Sequence, residues 1–199
     1  MEKNYIDKRD RIISSAIQII SERGMSSLTI RNLARQEHMP EEAIYRYFAG
    51  IDEILLEILM VQTKFDDSMI ATVEARYTSH LDKAVGFIKL LVSYYSGYPE
   101  LAAVSLHYEE LLHNINIRDY VAGFIVKRKE YLCNEFASAI AENEIMDTFK
   151  PDELFNLYLG NILVEMLSRR IMNSENAFED HLFSVIDKIT NMIRIKSPM

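Results

Sequence analysis

Four prolines and six glycines are the only strong helix breakers in 199 residues, so long stretches of the chain run on without one. Apolar residues make up 49% of the sequence. That is enough for a core of ordinary size in one domain or two small ones. They recur at three- and four-residue intervals rather than in alternation, and a many-stranded sheet would need turn material that the chain lacks. The expected class is all-α.

The first helix is expected from Asp7 to Arg23, with Ile12, Ala16, Ile19 and Ile20 on one face and Gly24 as a left-handed stop. A second begins at Thr29, whose hydroxyl can cap the first free N–H groups, while Leu28 before it can pack on Leu33. It should end near Glu37, because Pro40 lacks an N–H and biases Met39 away from helical dihedrals. The third helix is short, from Pro40 to about Phe48. After Ala49-Gly50 a long pattern starts at Ile51, IDEILLEILMVQTKFDDSMIATVEA. Five more helices are expected near 79–96, 99–114, 118–143, 151–173 and 176–195, separated by turn chemistry at 97–99, 114–116, 143–150 and 173–176. That makes about nine, divided into a domain over 1–50 and a larger one over 51–199.

Charge is unevenly placed. Residues 1–48 hold eight Lys/Arg against seven Asp/Glu and residues 49–199 hold 14 against 23, so the segments carry +1 and -9 and the acidity belongs to the larger one. A basic footprint usual for nucleic-acid binding is weak here. No stretch reaches the roughly 18 apolar residues of a membrane span, and the start MEKNYIDKRDR has no apolar signal region. A cytoplasmic location is expected. A single cysteine, Cys133, excludes a disulfide framework within the chain and a cysteine zinc cluster, and is read as a core thiol.

Helix, short turn and helix over 29–48 is the spacing of a helix-turn-helix, in which the second helix enters the major groove and the first lies across the backbone. The segment GMSSLTIRNLARQEHMPEEAIYRYFAGIDEILLEIL resembles the DNA-binding segment of the TetR family of bacterial transcriptional regulators. The resemblance covers about residues 8–60: the Gly24 break, Thr29, Leu33-Ala34, the Tyr45-x-Tyr47-Phe48 ending and the apolar start of the fourth helix. Three positions depart from the family pattern. His38 stands where a small residue is usual, Pro40, Glu41 and Glu42 where small polar, basic or glycine residues are common, and Ile51 where many members have a phosphate-touching lysine. His38 should need an unusual dihedral or shift the turn.

Ile44 and Phe48, four apart, should face the core of the three-helix unit, which puts Glu42 and Arg46 on the opposite, groove-facing side. Arg46 is the first candidate to read a base edge, most simply guanine O6 and N7. The resemblance implies phosphate contacts from Tyr45 and Tyr47, with Thr29 contributing from its cap. Arg31 and Arg35, on the exposed side of the second helix, suit the backbone. Plainer roles stand beside these: Glu42 with Arg46 as a surface pair, Tyr45 and Tyr47 as partly buried aromatics, Arg31 and Arg35 as a solvated face.

The helix over 151–173 is apolar on nearly all sides until Ser168, so it should be buried on more than one face, with Gly160 permitting close approach. Leu182, Val185, Ile186, Ile189 and Ile193 form a second stripe. In the resembled family these two helices pair with their copies in a four-helix interface, which implies a homodimer with Leu157, Gly160 and Val164 on the first helix at the contact. The alternative is that both stripes serve the chain's own core. Tyr94, Tyr95, His107, Tyr108 and Tyr120, with Phe124, Tyr131, Tyr158 and Met166, mix apolar bodies and polar tips as small-molecule pockets do, though such residues also fill ordinary cores. The resemblance implies an effector of unknown identity whose binding alters the DNA-binding units, and no cofactor.

Two other classes compete. Glu110-Leu-Leu-His113 has the Glu-x-x-His spacing of di-iron helical bundles, with His107 nearby, but the second copy that such a site needs is missing. Neither a glycine-rich phosphate loop nor a nucleophile elbow occurs. No metal site and no enzyme activity are therefore expected. The other class is a helical interaction protein with degenerate DNA binding, which the small positive charge of residues 1–48 keeps open.

Overall fold

The structure, a computed structural model, describes residues 7–172 and 178–195. These residues form ten α-helices: α1 Lys8–Arg23, α2 Ile30–Gln36, α3 Glu41–Ile44, α4 Ile51–Arg76, α5 His80–Gly97, α6 Pro99–Ser105, α7 Tyr108–Leu112, α8 Arg118–Ala141, α9 Pro151–Met172 and α10 Phe178–Ile193. The class is all-α as expected. Among the described residues the only strand-like pairing is a single bridge between Ile145 and Arg194. The turn expected over 173–176 lies outside the described residues, and so does the expected start of the last helix at 176.

Two expectations about helix ends are corrected. The helix expected over 99–114 is interrupted after Ser105, where Leu106 and His107 donate their N–H groups three residues back, to Ala103 and Val104. Ser105 turns its hydroxyl to Tyr108 and to Gln62 there, a local side-chain alternative to a continuous helix. The short third helix stops at Ile44 rather than near Phe48, and Pro40 is its cap rather than its first residue.

The chain forms two compact units, one from residues up to Thr63 together with Pro99–Ala122, the other from Lys64–Tyr98 and the residues from Gly123 on. A boundary at residue 50 does not separate them, because α6 packs against α1 and belongs with the first unit. In that unit Ile12, Ile19 and Ile20 of α1 are buried with Leu33, Ile44 and Phe48. Gly24 ends α1 at φ 81° and ψ 168°, a positive-φ geometry other than the left-handed helical one expected, and one that glycine adopts without strain.

In the second unit α5 packs against α9 and α10, burying Phe87, Ile88, Leu91 and Val92. Its N-terminus is held from the far end of α8. Asn143 takes φ 58°, and the N–H groups of Asn143 and Glu144 return to Ile140 and Ala139, a Schellman closure. The turn aims the Glu144 carboxylate at the first turn of α5, where it accepts from Ser79 Oγ at 2.8 Å, His80 N at 3.0 Å and Leu81 N at 2.6 Å. Beside it His80 Nδ1 lies 2.8 Å from Glu135 and Nε2 lies 3.4 Å from Glu142.

The Glu135 hydrogen bond raises the His80 pKa above its ordinary value. Stability gained from a raised histidine is complete below its unfolded pKa of about 6.5 and is lost as pH rises through the folded value. Thermal stability should therefore decline as pH rises through that window. His80→Gln should flatten the decline, as melting curves at a series of pH values will show.

Candidate nucleic-acid interface

The turn between α2 and α3 is built by backbone geometry. Thr29 caps α2, its Oγ1 accepting from Asn32 N at 3.1 Å. At the other end His38 takes φ 53°, its N–H reaches Arg35 O at 3.3 Å, and the Met39 N–H reaches Ala34 O at 3.0 Å. This is again a Schellman closure with a non-glycine residue in the left-handed position, tolerable for histidine although glycine fits it better. The unusual dihedral expected of His38 is present, and the turn is kept. Glu37 anchors it from behind, accepting from Ser15 Oγ at 2.5 Å and Arg11 Nη2 at 2.9 Å. Nothing in the sequence pattern singled out Glu37; its partners come from a helix that lies earlier in the chain.

Ile44 and Phe48 are buried and Glu42 and Arg46 exposed, so the expected division of faces holds. Tyr45 is 56% exposed, while Tyr47 is half-buried. Among the described residues no ion pair joins Glu42 to Arg46; the surface pair read from the sequence is not formed. Arg31 and Arg35 are exposed and line an open concavity with Ala34, Met39, Pro40, Glu41 and Glu42. Two guanidinium groups and two carboxylates thus share one shallow surface, which leaves it close to neutral.

A residue that sequence reasoning missed holds this surface in place. Arg9 of α1 lies 4.1 Å over the Phe48 ring and donates from Nη1 to the Tyr47 carbonyl. Its Nη2 pairs with Glu53 at 2.9 Å and Glu57 at 2.7 Å on α4. Glu53 in turn accepts from Ala49 N at 2.7 Å. The Ala49 N–H, with help from Arg9, holds the Glu53 pKa below its usual value, and Glu53 and Glu57 raise that of Arg9. The only hint in the sequence was a basic residue in the first turn of a helix, where the helix dipole disfavours it.

The expected effector residues divide. Tyr94, Tyr95, Phe124 and Tyr131 lie in the second unit, where Tyr131 reaches Glu74 at 3.0 Å, Tyr95 and Phe124 meet Arg128 of a buried pair with Asp66, and Tyr94 lies against Tyr95. Tyr158 is core: it stacks on Phe136 and bonds Thr190 Oγ1 at 2.9 Å. Met166 is buried on the same face of α9. His107, Tyr108 and Tyr120 belong to the first unit, where the Tyr108 hydroxyl donates to Gln62 Oε1 at 2.8 Å and Tyr120 meets Thr63 at 3.0 Å. Cys133 is half-buried. His113 pairs with Glu109 on an exposed helix face, and the described residues contain no group of three potential metal ligands.

The two apolar stripes also divide. On α9, Leu154, Tyr158, Ile162 and Met166 are buried, while Leu163, Val164, Leu167 and Ile171 are all at least half exposed. These follow Gly160 at helical spacing, so one continuous face of α9 is left uncovered. On α10 Leu182, Ile186 and Ile193 are buried by the chain itself, Val185 and Ile189 are half-buried, and Met192 is exposed. Leu182, Ile186 and Ile193 therefore serve the internal core, because they occupy the side of α10 that meets α5 and α9.

Residues 12–58 match the family of bacterial regulatory proteins described as tetR. No protein of curated function matches the chain by sequence. Among solved structures, the chain shares its fold with the ketosteroid transcriptional regulator KstR2 of Mycobacterium tuberculosis, with TM-score 0.80 and 12% identity over 96% of this chain and 97% of that one. The transcriptional regulator FadR from Bacillus subtilis, in complex with stearoyl-CoA, gives TM-score 0.72 and 19% identity over 92% and 95%. AibR, in complex with isovaleryl coenzyme A and operator DNA, gives 0.74 and 14% over 94% and 98%. At such identities the likeness is one of fold.

Arg9 touches the backbone that follows α3, so it should act on DNA affinity through position. Arg9→Gln should weaken binding to operator DNA about tenfold while leaving the slope of log affinity against log salt unchanged, since each direct phosphate contact contributes about one to that slope. A slope reduced by about one would instead make Arg9 a direct contact.

Proposed function

We propose, from the match of residues 12–58 to the tetR family of bacterial regulatory proteins, that the chain is a ligand-responsive repressor that binds a pseudo-palindromic operator as a homodimer. The observation that carries this reading is the α2–turn–α3 unit, with Ile44 and Phe48 buried and Arg46 and Tyr45 turned outward. Arg46 reads a base edge. Tyr45, Tyr47, Thr29, Arg31 and Arg35 position the unit on phosphates, and two such units on a two-fold dimer suit half-sites about one helical turn apart.

The uncovered face of α9 is the natural place for the two-fold contact. Gly160, Leu163, Val164, Leu167 and Ile171, with Leu157 half-buried beside them and Val185, Ile189 and Met192 of α10, supply the apolar surface. An effector site in the second unit is supported by the acyl-coenzyme A complexes of two fold relatives. No helix among the described residues is long and apolar enough to cross a membrane, which suits action on DNA in the cytoplasm.

Selection of bound DNA from a random library tests the reading: enrichment of a palindromic motif is expected, and no sequence preference would remove it. On the selected operator, Arg46→Ala should cost about 1–3 kcal/mol and relax specificity at one position in each half-site. Glu42→Ala should act in the opposite sense on random DNA, raising affinity by relieving repulsion from phosphate. Equal weakening on every sequence would make Glu42 a structural residue.

Space around Gly160 is open, with no atom within 4 Å of where a Cβ would stand, so a side chain can start there in a lone protomer without a clash. Gly160→Arg should therefore yield a folded monomer that has lost specific DNA binding, because a charge cannot be buried unpaired between two helices. Sedimentation of a stable dimer by this variant would place the interface elsewhere.

A further inference from the structure

The second unit contains a polar cluster that packing alone does not require. Asp66 on α4 accepts from Nε and Nη2 of Arg128 on α8, both at 2.9 Å, and both side chains are at least nine-tenths buried. Arg128 Nη1 donates to the Tyr95 hydroxyl at 3.2 Å, and the guanidinium lies 4.7 Å from the Phe124 ring centre. Apolar residues of equal volume usually hold a core at least as well as a buried ion pair. Next to the pair, the Tyr94 ring lies 4.4 Å from Phe65, 5.5 Å from Tyr95 and 5.4 Å from Tyr98. Tyr98 is 50% exposed, so this aromatic group reaches solvent, while Tyr94 is 7% exposed. The Tyr94 hydroxyl is buried without a hydrogen-bond partner, an arrangement that costs stability as it stands. Burial pushes its pKa well up, so the oxygen keeps its proton to donate.

We propose that this cluster receives the buried end of the effector, and that this end is an uncharged group with a carbonyl oxygen, which accepts from the Tyr94 hydroxyl while its apolar body lies against Phe65 and Tyr98. The inference rests on the reading of the chain as a ligand-responsive regulator. Charge selects the class. Asp66 and Arg128 already neutralise each other, so a carboxylate would meet Asp66 and an ammonium would meet Arg128 without compensation, each after losing its own hydration. A carbonyl adds no charge and completes the unmet hydrogen bond.

Methyl octanoate and acetophenone are suitable neutral probes, with octanoate and octyltrimethylammonium as charged counterparts, each titrated by calorimetry into the whole protein without DNA. The neutral probes should bind. Tyr94→Phe, which removes only the oxygen, should weaken them about tenfold and leave the melting temperature equal or higher. The charged probes should bind more weakly and ignore that substitution. Asp66→Asn, which removes the carboxylate charge from this pair, should shift preference toward octanoate. The proposal is overturned if neither neutral probe binds at about 1 mM, a weak limit for any specific site. It is also overturned if affinity for them survives Tyr94→Phe unchanged, or if octanoate outbinds methyl octanoate on the unsubstituted protein. Operator binding without probe binding would sink the site alone, whereas probe binding without any operator would sink the regulator reading and leave the site.

Discussion

Ile44 and Phe48 have essentially no exposed surface, and the outward face that carries Glu42 and Arg46 depends on their burial. Helix α3 has only four residues, far too few to persist on its own, since isolated helices shorter than about 12 residues are marginal in water. Its conformation is imposed from outside. Ile44 at its end and Phe48 just beyond the following turn are both anchored in the core, and this leaves Glu42 and Arg46 pointing away from it. Arg9 completes the arrangement by covering Phe48 and binding the Tyr47 carbonyl and two carboxylates of α4. A planar guanidinium can serve all of these at once; a lysine ammonium lacks the fork and the flat face.

That surface is electrostatically restrained. The chain carries a formal net charge of -8, and the concavity beside α3 sets Arg31 and Arg35 against Glu41 and Glu42. Non-specific DNA affinity comes almost wholly from cations meeting phosphates, so this arrangement lowers it for every sequence alike. Affinity must then come from contacts that only a correct site supplies. A regulator searching among many competing sites gains from the ratio of specific to non-specific binding rather than from tight binding as such.

The second unit shows the opposite economy, with charge placed where water is excluded. The Asp66–Arg128 pair and the unpartnered Tyr94 hydroxyl stand among aromatic rings. Buried polar groups in such a setting act strongly on whatever approaches, because the local dielectric is low. They also divide α4 by purpose: its first two turns carry Glu53 and Glu57, which hold Arg9, and Asp66 lies further along the same helix.

Much of this was legible in the sequence. The scarcity of glycine and proline gave an all-helical chain, Thr29 and Pro40 marked the ends of short helices, and the spacing of Ile44 and Phe48 fixed which side chains over 41–48 face outward. All of these are local properties, carried by residues within a few positions of each other. The break after Ser105 was missed because its cause, a hydrogen-bonded network with Gln62, joins residues 43 apart. Arg9, Glu37 and Asp66 were missed for the same reason: each looks like an ordinary surface charge until its partners arrive from other helices. The stripe on α10 could be counted from the sequence, yet only packing divided it between the buried Leu182, Ile186 and Ile193 and the half-buried Val185 and Ile189. Periodicity says that a helix has an apolar face; which neighbour covers that face is settled by tertiary structure, because burial depends on the whole chain at once.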